Sequence, residues 1–325
     1  MTSHAASSLS LRTSADLAEA GVARWQQTLA VRRGELERVR RGVYVDAEEW
    51  LATSPRQRVV LQARAAATSR RATPLFSHAT AAILHGLPLV GPPSTDLDVL
   101  LIGATGGRSE SGIRAHRSRN AAEAVAPAGL DDIRVTTLER TLIDVAATVA
   151  LPLSLPMLDH ALRLGSTTIP DLRAELRRRT SLRARTRVTR AVSLADGRAA
   201  NPGESFSRAR ILDAGFAAPD LQRPFVSGDG SRAVVDFYWD AVDLVGEFDG
   251  RLEHSRADGS GDPDALWEEK RREDALRADG HGIVRWGWDD AWRGEPLRRL
   301  LERAGVPRAT SAAPRGRSRR SAGAA

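Results

Sequence analysis

The stretch AVVDFYWDAVDLVGEFDG, Ala233–Gly250, carries the densest structural information in the chain. Its two apolar runs, Ala233–Trp239 and Val242–Phe248, are rich in the β-branched and aromatic residues that favour strands, and a tight turn at Asp240-Ala241 would join them. With that two-residue turn, Trp239 opposes Val242, Phe237 opposes Leu244 and Asp236 opposes Val245. Side chains alternate faces along a strand. One face then carries Ala233, Val235, Phe237, Trp239, Val242, Leu244 and Phe248, and the other Asp236, Glu247 and Asp249. Asp236 and Glu247 become diagonal cross-strand neighbours, roughly 7–8 Å apart. The pairing needs an even-numbered loop, because a one-residue slip puts the two acids on opposite faces.

Carboxylates that share a face repel, and stay ionised together only if a cation or basic groups compensate. Hard oxygen ligands suit Mg2+ or Mn2+. Such an ion activates water and steadies charge on a phosphoryl group. The plainer alternative is a solvent-facing acidic strand. The poor β-propensity of Asp and the clean apolar opposite face favour the metal site over it.

Outward from this stretch, Glu204–Ala214 reads as a helix after the break Asn201-Pro202-Gly203, and Gly250–Asp262 as a loop. Asp264–Ala278 reads as a helix, Gly282–Trp286 as a strand and Asp289–Ala304 as a last helix. That order predicts a mixed sheet flanked by helices. Lys270 is the only lysine in a chain that otherwise uses Arg, which makes it a candidate for lysine-specific chemistry or a product of chance.

Together, Glu204, Val-Val-Asp236-Phe, Glu247-Phe-Asp249-Gly250, Glu269-Lys270-Arg-Arg272-Glu-Asp-Ala-Leu276, Gly280 and Val284-Arg285-Trp286 are similar to the very-short-patch-repair-like branch of PD-(D/E)xK endonucleases. The resemblance implies a restriction-endonuclease-like domain that hydrolyses DNA phosphodiesters with Mg2+ (or Mn2+), with Glu204, Asp236 and Glu247 as metal-site acids. Asp249 stands in the slot where typical members place the lysine of the (D/E)xK element. A lysine a few residues after Asp-Gly is usual in this branch, and here Arg251 follows Gly250 while Glu253-His254 stand where it would be. Two substitutes complete the expected catalytic set of Asp236, Glu247, Asp249, Lys270 and His254. His254 would serve as general acid or base, and Lys270 would hold the scissile phosphate. Glu269 and Arg272 are expected to orient the site or brace their helix.

Before this module, Thr13-Ser14 caps a short helix over Ala15–Ala20 ended by Gly21, and Val22–Arg33 reads as a second helix ended by Gly34. Glu35–Val45 alternates charged and apolar residues around Arg40-Arg41-Gly42, as a β-ribbon does. Helix, turn, helix and ribbon is a winged helix-turn-helix plan, which lays its second helix in the DNA major groove. Candidate DNA contacts are Arg24, Gln26, Gln27, Arg32 and Arg33 on the helix, and Arg38, Arg40 and Arg41 on the wing. Short bundles with solvated Arg faces are the competing reading.

The middle of the chain, 54–196, mixes helices (Ser77–Leu84, Thr137–Val149, Met157–Leu164, Asp171–Arg179, Leu182–Leu194) with strands (Leu97–Ile102, Gly112–His116). It shows no catalytic constellation. His78, His85, His116 and His160 read as capping or core histidines rather than ligands. The Arg-dense run Ala174–Arg190 reads either as a track for a phosphate backbone or as a solvated face. The front of the chain also resembles the AbiEi antitoxin and transcriptional-regulator family of type IV toxin–antitoxin systems. The carrying residues are Gly21, Gly34–Tyr44, Ser77–Ala82, His85-Gly-Leu87-Pro and Thr136-Thr137…Arg140-Thr141-Leu-Ile-Asp144. That resemblance implies promoter binding through the winged helix, and a toxin–antitoxin partner.

The whole chain is thus expected to be α+β. It divides into a winged helix-turn-helix at 11–50, a mixed α/β middle domain at 54–196 and an endonuclease-like domain at 199–305, with disordered ends at 1–10 and 306–325. A net charge of +7 over 325 residues suits a polyanionic partner, DNA first. The absence of cysteine excludes disulfides, thiolate metal sites and a cysteine nucleophile. With no apolar run of transmembrane length and no secretory signal pattern, neither a membrane partner nor export is expected, and a cytoplasmic location is. Two functions compete: a metal-dependent DNA endonuclease, and an antitoxin-type regulator that binds DNA without cutting it. A structural or partner-binding role is the third.

Overall fold

A computed structural model of the chain describes residues 10–69, 72–103, 111–226, 230, 232–250, 271 and 273–309. The architecture is α+β. It divides into two compact units, Met1–Phe206 and Ser207–Ala325, with the boundary inside one helix.

The first unit begins with β1 (Arg12–Thr13), α1 (Ser14–Glu19), α2 (Arg24–Arg32), β2 (Leu36–Arg40) and β3 (Val43–Asp46). Thr13 and Asp16 start α1 by exchanging hydrogen bonds: Asp16 N–H donates to Thr13 Oγ1 (3.1 Å) and Thr13 N–H to Asp16 Oδ2 (2.7 Å). The three strands form an antiparallel sheet in the order β1-β3-β2. Helices α3 (Ala47–Ala52) and α4 (Pro55–Thr68) follow. Next come β4 (Leu75–Phe76), α5 (His78–Leu84), β5 (Leu97–Ile102), β6 (Ile113–Ser118), β7 (Ala124–Val125) and β8 (Arg134–Thr136). These strands make a mixed sheet in the order β6-β5-β4-β8-β7, parallel at β5/β6 and at β4/β8. Its core joins Phe76, Leu97, Val99, Ile133 and Val135 to Val59 and Ala63 of α4. The unit continues through α6 (Leu138–Thr148), α7 (Leu151–Arg163), α8 (Ile169–Arg178) and α9 (Arg185–Leu194). Helix α7 starts at Leu151, well before the expected Met157, and carries Pro156 inside it.

Helix α10 (Pro202–Asp213) crosses the boundary. The second unit holds β9 (Asp220–Val226), β10 (Arg232–Trp239), β11 (Leu244–Phe248) and β12 (Gly282–Trp286), in the order β12-β11-β10-β9. Only β11/β12 is parallel, so the sheet is mixed. β9 has no counterpart in the expectation. It contains Pro224, which an edge strand tolerates.

The hairpin turn is longer than the sequence suggested. A 3-10 turn at Asp240–Val242 and Asp243, at φ +46°, replace the two-residue turn, so Trp239 pairs with Leu244 and Phe237 with Gly246. Val242 belongs to the turn and is 38% exposed, not to an apolar strand face. Asp243 is locked by the Tyr238 hydroxyl (2.8 Å) and by His281 Nδ1 (2.6 Å), which hold its carboxyl below the usual range. The expected single apolar face is also corrected. Phe237 stacks with Trp239 and Trp286, whereas Ala233 and Val235 cluster with Tyr238, Val245 and Leu276. Strict alternation therefore fails between Val235 and Phe237, where the neighbouring strand has Gln222 at φ +52°. Gly246 lets Trp239 and Trp286 meet over the strand; a Cβ there would lie 2.8 Å from Trp286 and 2.9 Å from Trp239.

The last expected helix is split by Gly294, at φ +74°, into Trp288–Arg293 and Glu295–Arg303. The basic tail begins later than 306: Ala217 N–H donates to Pro307 O (2.8 Å), Ala309 N–H to Gly215 O (2.9 Å), and the Arg308 guanidinium covers the Phe216 ring.

Candidate functional site

The sheet of the second unit places Asp236, Glu247 and Arg285 in one row. The β10–β11 ladder pairs Phe237 with Gly246, and one step further along sets Asp236 opposite Glu247. On the other side of β11, Glu247 pairs with Arg285 of β12. The turn grew from two residues to an even-numbered four, so the acids stayed on one face and moved from diagonal to opposite positions.

The carboxylates are engaged. Asp236 Oδ2 accepts the Phe248 N–H (2.9 Å), and Oδ1 accepts from Gln222 Nε2 (3.4 Å). Glu247 Oε2 lies 2.6 Å from Arg285 Nη2, and the same nitrogen lies 3.0 Å from Glu273 Oε2. All three side chains of this last group are largely buried, with 14% exposure at Glu247, 16% at Glu273 and 29% at Arg285. The guanidinium thus neutralises paired acids in the way the sequence argument required of some cation. Nothing in the motif pointed to Arg285, and its strand register is what reveals it. Asp249 continues β11, its N–H donating to Trp286 O (3.0 Å).

Glu204, the remaining expected metal acid, is buried at the start of α10. Its Oε2 accepts the Ala200 N–H (2.8 Å) and its Oε1 the Asn201 amide (2.5 Å), while Asn201 Oδ1 accepts the Glu204 N–H (3.0 Å). This is a helix-starting box like that at α1. Arg251, Glu253, His254, Glu269, Lys270 and Arg272 lie outside the described residues. Among the described residues, no group of three or more His, Asp and Glu could hold a metal ion.

In the first unit, α2 presents Arg24, Trp25, Thr28 and Arg32 to solvent, with Arg33 just beyond it. Trp25 is 67% exposed, an aromatic the sequence reading passed over. Gln26 Oε1 accepts the Ala23 N–H (2.7 Å) and so caps the helix. Gln27 is buried and donates to Ser14 O and Val22 O, which takes it off the list of surface contacts. On the ribbon, Arg38 and Arg41 are exposed, and Arg40 reaches Ser111 O (3.5 Å). Arg33 makes a loose, exposed pair with Glu35 at 3.9 Å. The Arg-dense run is partly structural: Arg185 donates to the carbonyls of Leu176 and Arg179, and Arg187 to that of Ala147, closing the ends of α8 and α6.

The middle histidines belong to a buried polar network. His78 stacks on His116 with ring centroids 3.5 Å apart, and His116 Nε2 lies 2.8 Å from Asp98 Oδ1. Burial pushes the His78 imidazole down to about 4, and the residue sits at φ +50°. Nearby, Asp144 binds Arg140 Nε (2.8 Å) and Arg179 Nη1 (2.6 Å), all three side chains being buried. His85 packs against Thr136 O (2.8 Å), and burial lowers its imidazole too.

Among the described residues, no helix is long and apolar enough to cross a membrane. No family model matches the chain. Two proteins of Mycobacterium tuberculosis, both named as uncharacterized, are similar to it: MT2308 of strain CDC 1551 / Oshkosh and Rv2248 of strain ATCC 25618 / H37Rv. Each is 32% identical over 161 residues, covering 49% of this chain and 56% of the relative. The chain therefore spans about half the length of the curated relatives it matches. Among solved structures, the RV2827C protein from Mycobacterium tuberculosis shares 17% identity at a TM-score of 0.38, over 66% of this chain and 83% of that one.

Proposed function

We propose that the protein binds DNA through a winged helix in its first unit and hydrolyses DNA phosphodiesters at the Asp236/Glu247 site of a restriction-endonuclease-like second unit. The observation that carries this reading is the placement of the two acids opposite each other on adjacent strands. Asp236 and Glu247 fit a divalent ion as a two-carboxylate set, because Mg2+ is commonly held by one or two carboxylates, with water and substrate phosphate completing its shell. When bound, Mg2+ or Mn2+ would supply an activated water and charge stabilisation at phosphorus. In the hydrolysis, the water oxygen bonds to phosphorus, the bond to one deoxyribose oxygen breaks, and the water proton ends on that leaving oxygen. His254 and Lys270 remain candidates for proton transfer and phosphate binding, and Asp249 for the edge of the site. The DNA contacts rest on Arg24, Arg32, Arg33, Arg38 and Arg41, the exposed cations of α2 and the ribbon.

One observation favours a second reading, an AbiEi-type regulator that binds DNA without cutting. Arg285 already neutralises Glu247 and Glu273, so the sheet is electrostatically complete with no ion. A toxin–antitoxin partner belongs to that reading.

Incubating the protein and its Asp236→Ala variant with plasmid and linear DNA plus Mg2+ or Mn2+ separates the two. Cleavage by the native protein alone supports the endonuclease. Salt-sensitive binding without cleavage by either protein leaves the regulator.

A further inference from the structure

The basic residue that the endonuclease motif lacks after Asp249 is present on the neighbouring strand. β12 runs parallel to β11 and sets Arg285 beside Glu247. A single guanidinium nitrogen there serves two carboxylates, Glu247 at 2.6 Å and Glu273 at 3.0 Å. One cation between two largely buried acids leaves the cluster net negative, and a net negative buried cluster attracts further positive charge. A planar guanidinium also matches the oxygens of a phosphodiester, which its carboxylate partners already mimic in geometry.

We propose that Arg285 is the basic residue of this site, an internal counter-ion that holds Glu247 until a divalent cation binds there and then turns to the scissile phosphate. The phosphate half rests on the endonuclease reading; the counter-ion half does not. In this arrangement Arg285 and the divalent cation compete for Glu247, so the resting protein keeps its ion weakly. Ion binding frees the guanidinium for a non-bridging phosphate oxygen, where a positioned cation stabilises the charge that develops during hydrolysis.

The test measures Mn2+ binding by electron paramagnetic resonance on the full chain without DNA, for the native protein, Arg285→Met, Arg285→Lys and the double variant Arg285→Met/Glu247→Gln. Arg285→Met keeps the apolar stem and removes the competing charge, so it binds Mn2+ about tenfold more tightly than the native protein. Arg285→Lys keeps a charge that cannot fork between two carboxylates, and falls between the two. The double variant loses the gain. Plasmid cleavage is then followed in the same samples, and Arg285→Met is slower by about a hundredfold despite its tighter ion. A residue that only braces the sheet does not produce tighter metal with slower chemistry. If neither Arg285 variant binds Mn2+ more tightly, or the gain survives loss of Glu247, the proposal is wrong even where the native protein cleaves DNA. If the gain appears and the native protein cleaves nothing, the counter-ion assignment stands, and the phosphate role falls with the endonuclease reading. Should Arg285→Met not fold, Arg285→Lys alone decides, because unchanged Mn2+ affinity in it overturns the competition.

Discussion

Acidification from about pH 7 to pH 4 loosens the five-stranded sheet of the first unit through His78. This imidazole is 8% exposed, stacks on His116 and is surrounded by Asp98, Asp144 and Arg179. Burial dominates, and lowers its pKa from 6.5 to about 4. The folded chain thus sheds a proton that the unfolded chain keeps, and the unfolded state binds more protons between pH 4 and 6.5. Stability rises with pH across that window: the His78 contribution is complete above about 6.5 and gone below about 4. A difference of about 2.5 pH units at 1.36 kcal/mol each amounts to about 3 kcal/mol. His78→Asn removes the titration and keeps a residue type that tolerates φ +50°. The assay is amide hydrogen exchange by mass spectrometry over β4 and β5, corrected for the intrinsic pH dependence of exchange. It reads the first unit separately from the second. Protection in the native protein falls by more than about a hundredfold relative to His78→Asn as the pH drops. If the two proteins keep a constant protection ratio from pH 7 to 4, His78 is not held neutral by its surroundings and the reasoning is wrong.

Other outcomes follow from the same packing. Gly246→Ala forces a methyl against Trp286 and Trp239 and destabilises the second unit by about 1–3 kcal/mol, read as a lower denaturation midpoint by tryptophan fluorescence. Asp144→Ala leaves Arg140 and Arg179 buried without their carboxylate and costs about 3–5 kcal/mol, while Asp144→Asn costs less; hydrogen exchange in α6 and α8 separates them. Trp25→Ala leaves stability within about 0.5 kcal/mol because the side chain is mostly in water. It weakens duplex DNA binding roughly tenfold through lost apolar contact with bases, measured by fluorescence anisotropy at fixed salt.

The local elements were legible because each carries its own periodicity and punctuation. Thr13 with Asp16, Gly21 and Gly42 mark the front module, and the apolar runs at Ala233–Trp239 and Leu244–Phe248 mark the hairpin. The turn length was not legible, since Val242 resembles a strand residue and only the tertiary ties from Tyr238 and His281 show Asp243 closing the turn. The acids stayed on a shared face because two and four residues have the same parity. β9 escaped notice because Pro224 argues against a strand unless the strand is known to be an edge. Arg285 and the His78–His116–Asp98 network were invisible for a further reason. Their partners come from separate strands and helices, and no local pattern records which strands lie side by side. The Arg-dense run misled in the opposite direction, because Arg185 and Arg187 close helix ends that lie elsewhere in the fold.

The measurement that bears most directly on the proposed activity follows plasmid nicking in Mg2+ and Mn2+ by the native protein and by Glu247→Gln, with DNA affinity measured on the same preparations. The account predicts nicking by the native protein, a loss of at least about a hundredfold in Glu247→Gln, and unchanged DNA affinity, because binding resides in the first unit. Equal nicking by both proteins, or none by either at full DNA affinity, would contradict it.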